Sequence, residues 1–337
     1  MILTVTLNPA WDITHAVRRL EPGTTHRPDA VTERPGGKGV NVARVLHQLG
    51  HPTLATGFAA GATGRRLRAE LAGAGIRESF FGCDAADRAV DQWAAQTRRT
   101  LTIIETGTGR ATMLAEPGPA AGSVDWPALL EHLGSLIADA DVVVLSGSLP
   151  AAVPPDAYRV LVHEAHAHDV PVIVDADGAA LVAALDARPD LVKPNSAELY
   201  AATGQRDPVA GGRRLLDAGA AAVVVSDGPT GLTAVTADGV WRAVPAALRP
   251  VNPTGAGDAA VAALAVSLAE RRDWPDLLRT AAAWSAAAVL EPCAGAVAAD
   301  RIEELAGSTT VTATATPPVT ATSTTTATAT DRSVPQC

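Results

Sequence analysis

Between Asp125 and Val244 short apolar runs alternate with helix-spaced segments, and this regularity constrains the fold more than any other feature of the 337-residue chain. Helices are expected over Trp126–Ala138, Pro155–His168, Ala179–Leu185 and Pro208–Ala218. Strands are expected over Val142–Leu145, Val170–Val174, Leu191–Val192 and Ala222–Val225, with strand-like segments around Leu232–Val235 and Val240–Val244. Helices placed between apolar strands imply right-handed crossovers and a mainly parallel sheet covered on both faces, an α/β fold. In such sheets ligands bind beyond the carboxyl ends of the strands. Ser146-Gly147-Ser148, Asp175, Lys193-Pro194-Asn195 and Ser226-Asp227-Gly228 each follow a strand directly, so four stretches converge on one crevice.

Two glycine turns open helices. Thr254-Gly255-Ala256-Gly257 precedes Val261, Leu264, Ala265 and Leu268, apolar at i, i+3, i+4 and i+7. The first N–H groups of a helix have no internal partner and the peptide dipoles add positive charge there, so a turn of small residues admits an anion, with phosphate the obvious candidate. Asp258 would compete with that anion if it only capped the helix; beside a phosphoryl group in transfer it makes sense as a proton acceptor. The second turn, Arg34-Pro35-Gly36-Gly37-Lys38-Gly39, runs into Val40–Leu49, where Val42, Val45, Leu46 and Leu49 form one apolar face. Its spacing fits neither GxxxxGK[ST] nor GxGxxG. Lys38 and Asn41 among three glycines suit an anionic, hydroxyl-rich ligand.

Nearer the N-terminus, Ile2–Leu7 reads as a strand stopped by Asn8-Pro9, with Asp12 just beyond. Thr53–Phe58 reads as a strand and Gly64–Gly73 as a helix. The polar segment Thr24–Glu33 looks like strand standing outside the main sheet. Thr100–Glu105 and Arg110–Leu114 flank Thr106-Gly107-Thr108-Gly109 as a hairpin, with Arg98 leading in. Together these predict a small antiparallel lid.

Composition removes several classes. Twenty-seven basic against thirty-six acidic residues give a net charge of −9, and the scattered Lys and Arg argue against nucleic acid as a partner. The N-terminus lacks a basic start and a long apolar run, and nowhere is there a membrane-length apolar stretch. Cys83, Cys293 and Cys337 are far apart and form no CxxC pair, which fits a reducing cytoplasm rather than a disulfide framework or zinc site. His163, His166 and His168 share no carboxylate with the crevice and read as solvated or structural. Gly307–Thr330 is almost wholly Thr, Ala and Pro, too poor in buriable surface to offset its ordering entropy, so residues 307–337 are expected to be a disordered tail.

The motifs carry a resemblance in their order. Thr4–Asp12 (TVTLNPAWD), Pro35–Arg44 (PGGKGVNVAR), Ser146–Pro150 (SGSLP), Val192–Asn195 with Glu198, and Gly255–Asp258 (GAGD) follow one another. With these, the chain resembles the ribokinase-like (PfkB) carbohydrate kinases from Met1 to about Ala306, in the branch of 1-phosphofructokinase and tagatose-6-phosphate kinase. The resemblance implies a three-layer α/β/α kinase domain over residues 1–306, with the lid drawn from about 10–35 and 97–116. It implies Asp258 as catalytic base, with the amides of Gly255, Ala256 and Gly257 as anion hole. It implies that Asp12, Gly37 and Asn41 hold sugar hydroxyls, and that Lys38, Arg27 and Arg98 approach the substrate's existing phosphate. Lys193, Ser226, Gly228, Gly231 and Gly255 match the nucleotide side, and Asn195 and Glu198 match a motif associated with Mg²⁺ through water. ATP and Mg²⁺ are the implied cofactors, and a homodimer through the lid the implied assembly.

The expected reaction is phosphorylation of a sugar phosphate, with fructose 1-phosphate to fructose 1,6-bisphosphate first, and tagatose 6-phosphate or fructose 6-phosphate as rivals. Some positions depart from the family pattern: Asn252-Pro253 stands for the common Asp-Thr, Ala152 for a glycine, Thr100 for an asparagine and Ala259 for a small hydroxyl residue. A non-catalytic sugar-phosphate-binding regulator is disfavoured because it needs no base, anion hole or metal motif. A nucleoside kinase leaves Lys38 without a role.

Overall fold

The computed structural model describes residues 1–82 and 96–315. In chain order its strands are β1 (Ile2–Thr6), β2 (Ala10–Val17), β3 (Ala30–Gly36), β4 (Thr53–Phe58), β5 (Glu78–Phe81), β6 (Arg98–Glu105) and β7 (Ala111–Ala115). The second half adds β8 (Val142–Ser146), β9 (Val172–Asp175), β10 (Leu191–Val192), β11 (Ala222–Ser226), β12 (Leu232–Thr236), β13 (Gly239–Val244) and β14 (Thr310–Ala315). The helices are α1 (Lys38–Gln48), α2 (Gly61–Gly73), α3 (Trp126–Ile137), α4 (Ala157–Ala167), α5 (Gly178–Leu185), α6 (Ser196–Thr203), α7 (Pro208–Asp217), α8 (Ala256–Ala269), α9 (Trp274–Ala288) and α10 (Ile302–Ser308).

Ten strands make the main sheet in the order β14-β13-β12-β11-β10-β9-β8-β1-β4-β5. From β11 to β5 every pair is parallel, and β12 to β14 are antiparallel. Because side chains alternate across a pleated strand, Leu3, Val5, Val143 and Val172 pack on one face with Leu133, Leu161 and Leu181. Ile2, Val142, Val144 and Ile173 pack on the other with Val42, Leu46, Val261 and Leu264. The result is the expected three-layer α/β/α sandwich. Helix α8 packs against both α1 and α9 as well as the sheet, so it is buried all round rather than along one stripe, which is why alanine dominates it. Among the described residues no helix is long and apolar enough to cross a membrane.

The second sheet, β3-β2-β6-β7, is the lid. Its outer pairs are antiparallel as expected, but β2 and β6 run parallel, pairing from Ala10↔Arg98 to Val17↔Glu105. Both strands start at the crevice and run outward from it, which fixes their shared direction. A second difference concerns the tail. Residues 307 and 308 end α10, and Thr310–Ala315 pairs antiparallel with β13 instead of being disordered. The Thr-Val-Thr pattern is β-branched and suits a pleated edge, and β13 offers it unpaired backbone groups. Cys83, Cys337 and residues 316–337 lie outside the described residues.

Candidate active site

Both glycine turns open helices at the carboxyl ends of the strands. At α8, Gly255 takes a left-handed φ of 91°, and a Cβ there would come within 2.6 Å of the Ala294 Cβ. At α1, Gly37 has φ 109°. Helices α3, α7 and α9 are capped by Asp125, Asp207 and Asp273, whereas neither α1 nor α8 has a side-chain cap. Among the described residues the N–H groups of Gly255, Gly257 and Asp258 find no backbone acceptor. These orphan donors and the dipole behind them leave the start of α8 electropositive and open.

Asp258 is buried, and Asn41 Nδ2 donates to its Oδ2 at 2.8 Å. Burial pushes this carboxyl up to about 7; the Asp175 charge adds to the rise, while the Asn41 hydrogen bond and the Lys38 and Lys193 charges oppose it. A carboxyl titrating there can accept a proton near neutral pH. Asp175, at the end of β9, binds two ammonium groups through Oδ1: Lys38 Nζ at 3.3 Å and Lys193 Nζ at 3.4 Å. Lys38 Nζ also lies 3.3 Å from Glu198 Oε1. Burial alone would lower the Lys38 pKa, but Asp175, Glu198 and Asp258 together raise it, so the cation persists. Lys193 Nζ sits beside Gly257, 3.5 Å from where a Cβ would stand. Sequence reasoning placed Asp175 in the crevice without a role; here it is the centre that fixes both lysines.

On the lid side, Asp12 lies over Gly36, where any Cβ would overlap its carboxylate. Its cross-strand neighbours are Arg34 on β3 and Thr100 on β6. Burial raises the Asp12 carboxyl against the pull of Arg34 and Arg98. Arg98 donates from Nε to Asn8 O at 3.2 Å and from Nη1 to Thr100 Oγ1 at 3.4 Å. Arg27 is the residue the structure separates from this group. It is exposed in the loop beyond the Ala16↔Ala30 end of the lid, four residues or roughly 13 Å along the strand from Asp12 at 3.3 Å per residue. Arg34 and Arg44, absent from the sequence-based site, stand close to it instead. Their signal was positional: Arg44 is one helical turn beyond Asn41, and Arg34 opens the glycine turn.

Ser226, Gly228 and Gly231 line a largely apolar cleft of about 420 Å³ whose far wall is Ala256 and Gly257 at the start of α8. Proline, alanine and leucine from residues 245–250 and α9 close it. A flat heterocycle fits such a cleft with its anionic end toward the open amides of α8.

The Asn195–Glu198 pair has a structural task of its own. Asn195 Oδ1 accepts from Ala197 N and Glu198 N at 2.9 Å each, and Glu198 Oε2 accepts from Asn195 N at 2.8 Å, so the pair is the capping box of α6. The Asn195 oxygen is committed to that cap. Among the described residues no three His, Cys, Asp or Glu side chains group as a direct metal site. Glu198 gives Oε1 to Lys38 and Oε2 to the Asn195 N–H, so its carboxylate suits Mg²⁺ that keeps its own waters better than a fully dehydrated ion. Of the discounted histidines, His166 meets Asp190 at 3.0 Å and His163 is exposed, away from the crevice.

Two uncapped helix starts stand side by side, with a buried carboxylate at one and an ammonium at the other, the arrangement expected of a small-molecule phosphotransferase with a ribokinase-like fold. Residues 5–301 match the profile described as pfkB family carbohydrate kinase, and the chain belongs to that family. Phosphofructokinase-2 from Escherichia coli, in complex with potassium, is similar at 28% identity and a TM-score of 0.80, the match covering 91% of this chain and 98% of that one. A structure from Thermotoga maritima described as a possible 1-phosphofructokinase gives 25% identity and a TM-score of 0.76, covering 93% and 99%. Arabidopsis thaliana ribokinase complexed with ribose and ATP shares the fold at 22% identity and a TM-score of 0.71, covering 90% and 98%. The chain is therefore a phosphotransferase with an alcohol group as acceptor.

Proposed function

We propose that the protein transfers the γ-phosphoryl group of ATP to a hydroxyl of a sugar phosphate, with fructose 1-phosphate as the first candidate and fructose 1,6-bisphosphate as product. The observation that carries this reading is Asp258: a buried carboxylate raised to about 7, hydrogen-bonded by Asn41 and set in the first turn of an uncapped helix. Asp258 takes the proton of the attacking hydroxyl, and the open amides of Gly255 and Gly257 receive the charge on the moving phosphoryl group, the Ala256 N–H being turned to Pro253 O at 3.4 Å. Lys38 and Lys193, fixed by Asp175, neutralise the phosphate chain from the opposite side. Asp12 and the backbone at Gly37 orient sugar hydroxyls, and the Ser226–Gly231 loop seats the nucleotide base. Mg²⁺, held through water near Glu198, would supply further charge neutralisation on the phosphates. The lid is the surface for a homodimer.

One coupled assay of ADP release tests the reading across fructose 1-phosphate, tagatose 6-phosphate, fructose 6-phosphate, ribose and adenosine. The expected result is a kcat/KM at least about tenfold higher for one sugar phosphate than for ribose or adenosine, since one charged group recognised in the site is worth more than 1.4 kcal/mol. Preference for ribose or adenosine would overturn it.

A further inference from the structure

Three guanidinium groups gather on the sugar side of the crevice around a single carboxylate, Asp12, which pulls on Arg34 and Arg98. Arg34 is the direct cross-strand partner of Asp12, so the two side chains rise from the same face of the lid. Arg98 stands two residues before Thr100, the partner of Asp12 on the other side. Arg44 lies beside Asn41 on α1: a Cβ built on Gly295 would come 3.0 Å from Asn41 Oδ1 and 3.1 Å from Arg44 Nε. That Nε is buried and, among the described residues, has no hydrogen-bond partner.

Neighbouring arginines are matched with carboxylates, Arg66 with Glu33, Arg99 with Glu116 and Arg110 with Glu105. Among the described residues Arg34, Arg44 and Arg98 form no ion pair. Arg34 is near enough to reinforce, after burial, the lowering of the Arg44 pKa. One carboxylate, Asp12, stands against three guanidinium groups, and like charges held in excess in a half-buried site are unfavourable until a further anion joins them.

We propose that Arg34 and Arg44, together with Arg98, hold the phosphate the sugar already carries, in place of Lys38 and Arg27. The inference rests on the sugar-phosphate reading above and names its recognition group. Lys38 is drawn to Asp175 and Glu198, on the side of the transferred phosphoryl group, and Arg27 is at the remote end of the lid. Planar guanidinium forks match phosphate oxygens two at a time, which a lysine ammonium cannot do. The phosphate then sits toward Arg34 and Arg98 at the root of the lid while the acceptor hydroxyl reaches Asp258 beside Asn41. The two groups belong to opposite ends of one sugar, and the product is a bisphosphate.

The test is Arg34→Met and Arg44→Met, each assayed with fructose 1-phosphate and fructose 6-phosphate, with inorganic phosphate as a separate probe of the site by thermal shift. Each variant is expected to raise KM for the preferred sugar phosphate about tenfold or more, with KM for ATP within about twofold. Inorganic phosphate is expected to raise the Tm of the wild type and to raise that of the variants much less. Unchanged KM in both variants, or equal rises in both KM values, overturns the inference. If Arg44→Met fails to fold, Arg34→Met on the lid and Arg44→Lys carry the same test. If the wild type phosphorylates no sugar phosphate, the functional reading fails on its own, and the phosphate-dependent Tm still judges the arginines.

Discussion

Asp258 is where burial becomes chemistry. Its carboxyl titrates near 7 because the packed alanines of α8 remove water from it and Asp175 adds repulsion. Turnover should therefore rise about tenfold per pH unit below 7 and level off above it, as the ionised form becomes dominant. Asp258→Asn should lower kcat at least about a hundredfold. The folded pKa lies above the unfolded 3.8, so protonation favours the fold, and that stabilisation is lost as pH rises from 3.8 through 7. Asparagine stays neutral, so the variant should melt at or above the wild-type temperature at pH 8 while its activity collapses. Calorimetry with a kcat–pH profile checks both, and a variant with wild-type turnover would sink the base assignment. The residue types of this site were legible, since glycine, aspartate and lysine at these spacings speak of anions. Their partners were not: Lys38 lies 137 residues from Asp175 in sequence, and nothing local says which carboxylate a long side chain will reach. Arg34 and Arg44 read like solvated surface charges until the lid and α1 are brought together.

The turn before α8 is held by the loop after α9. Asn252 Oδ1 accepts from Thr254 N at 2.9 Å, its Nδ2 donates to Pro292 O at 3.0 Å, and the backbone N–H groups of Val251 and Asn252 donate to Val289 O. With Gly255 packed on Ala294, this clamp sets where the anion-hole amides point. Asn252→Ala should lower kcat about tenfold, the worth of roughly one hydrogen bond's free energy in the transition state, with KM for the sugar within about twofold. Full kcat in that variant would show that the clamp is dispensable. Long periodic elements such as α1 and α8 were legible because burial repeats at helical spacing. Helix α6 was not, since it is eight residues long and has no amphipathic stripe, and its capping box uses the same Asn and Glu that suggest a metal motif. Strand β14 was hidden by composition: six residues of Thr, Val and Ala look like linker until an edge is present to pair with.

At the scale of the molecule the sandwich was readable from the strand–helix alternation, while the lid's strand order depended on how two segments some 80 residues apart meet. Strand β7 is exposed along its length, and Met113 and Leu114 are 61% and 57% exposed. Apolar side chains on an open edge strand suit a second copy of the chain. Replacing both with aspartate should convert a dimer to a monomer in light scattering; a monomeric wild type would remove the lid from the assembly. The parallel seam between β2 and β6 has a further consequence. Eight residue pairs join the two halves of the lid into one plate, and its root carries Asp12, Arg34 and Arg98. Because one plate carries all three, any displacement of the lid would move Asp12, Arg34 and Arg98 together relative to Asn41, Arg44 and Asp258, which stay on α1 and α8.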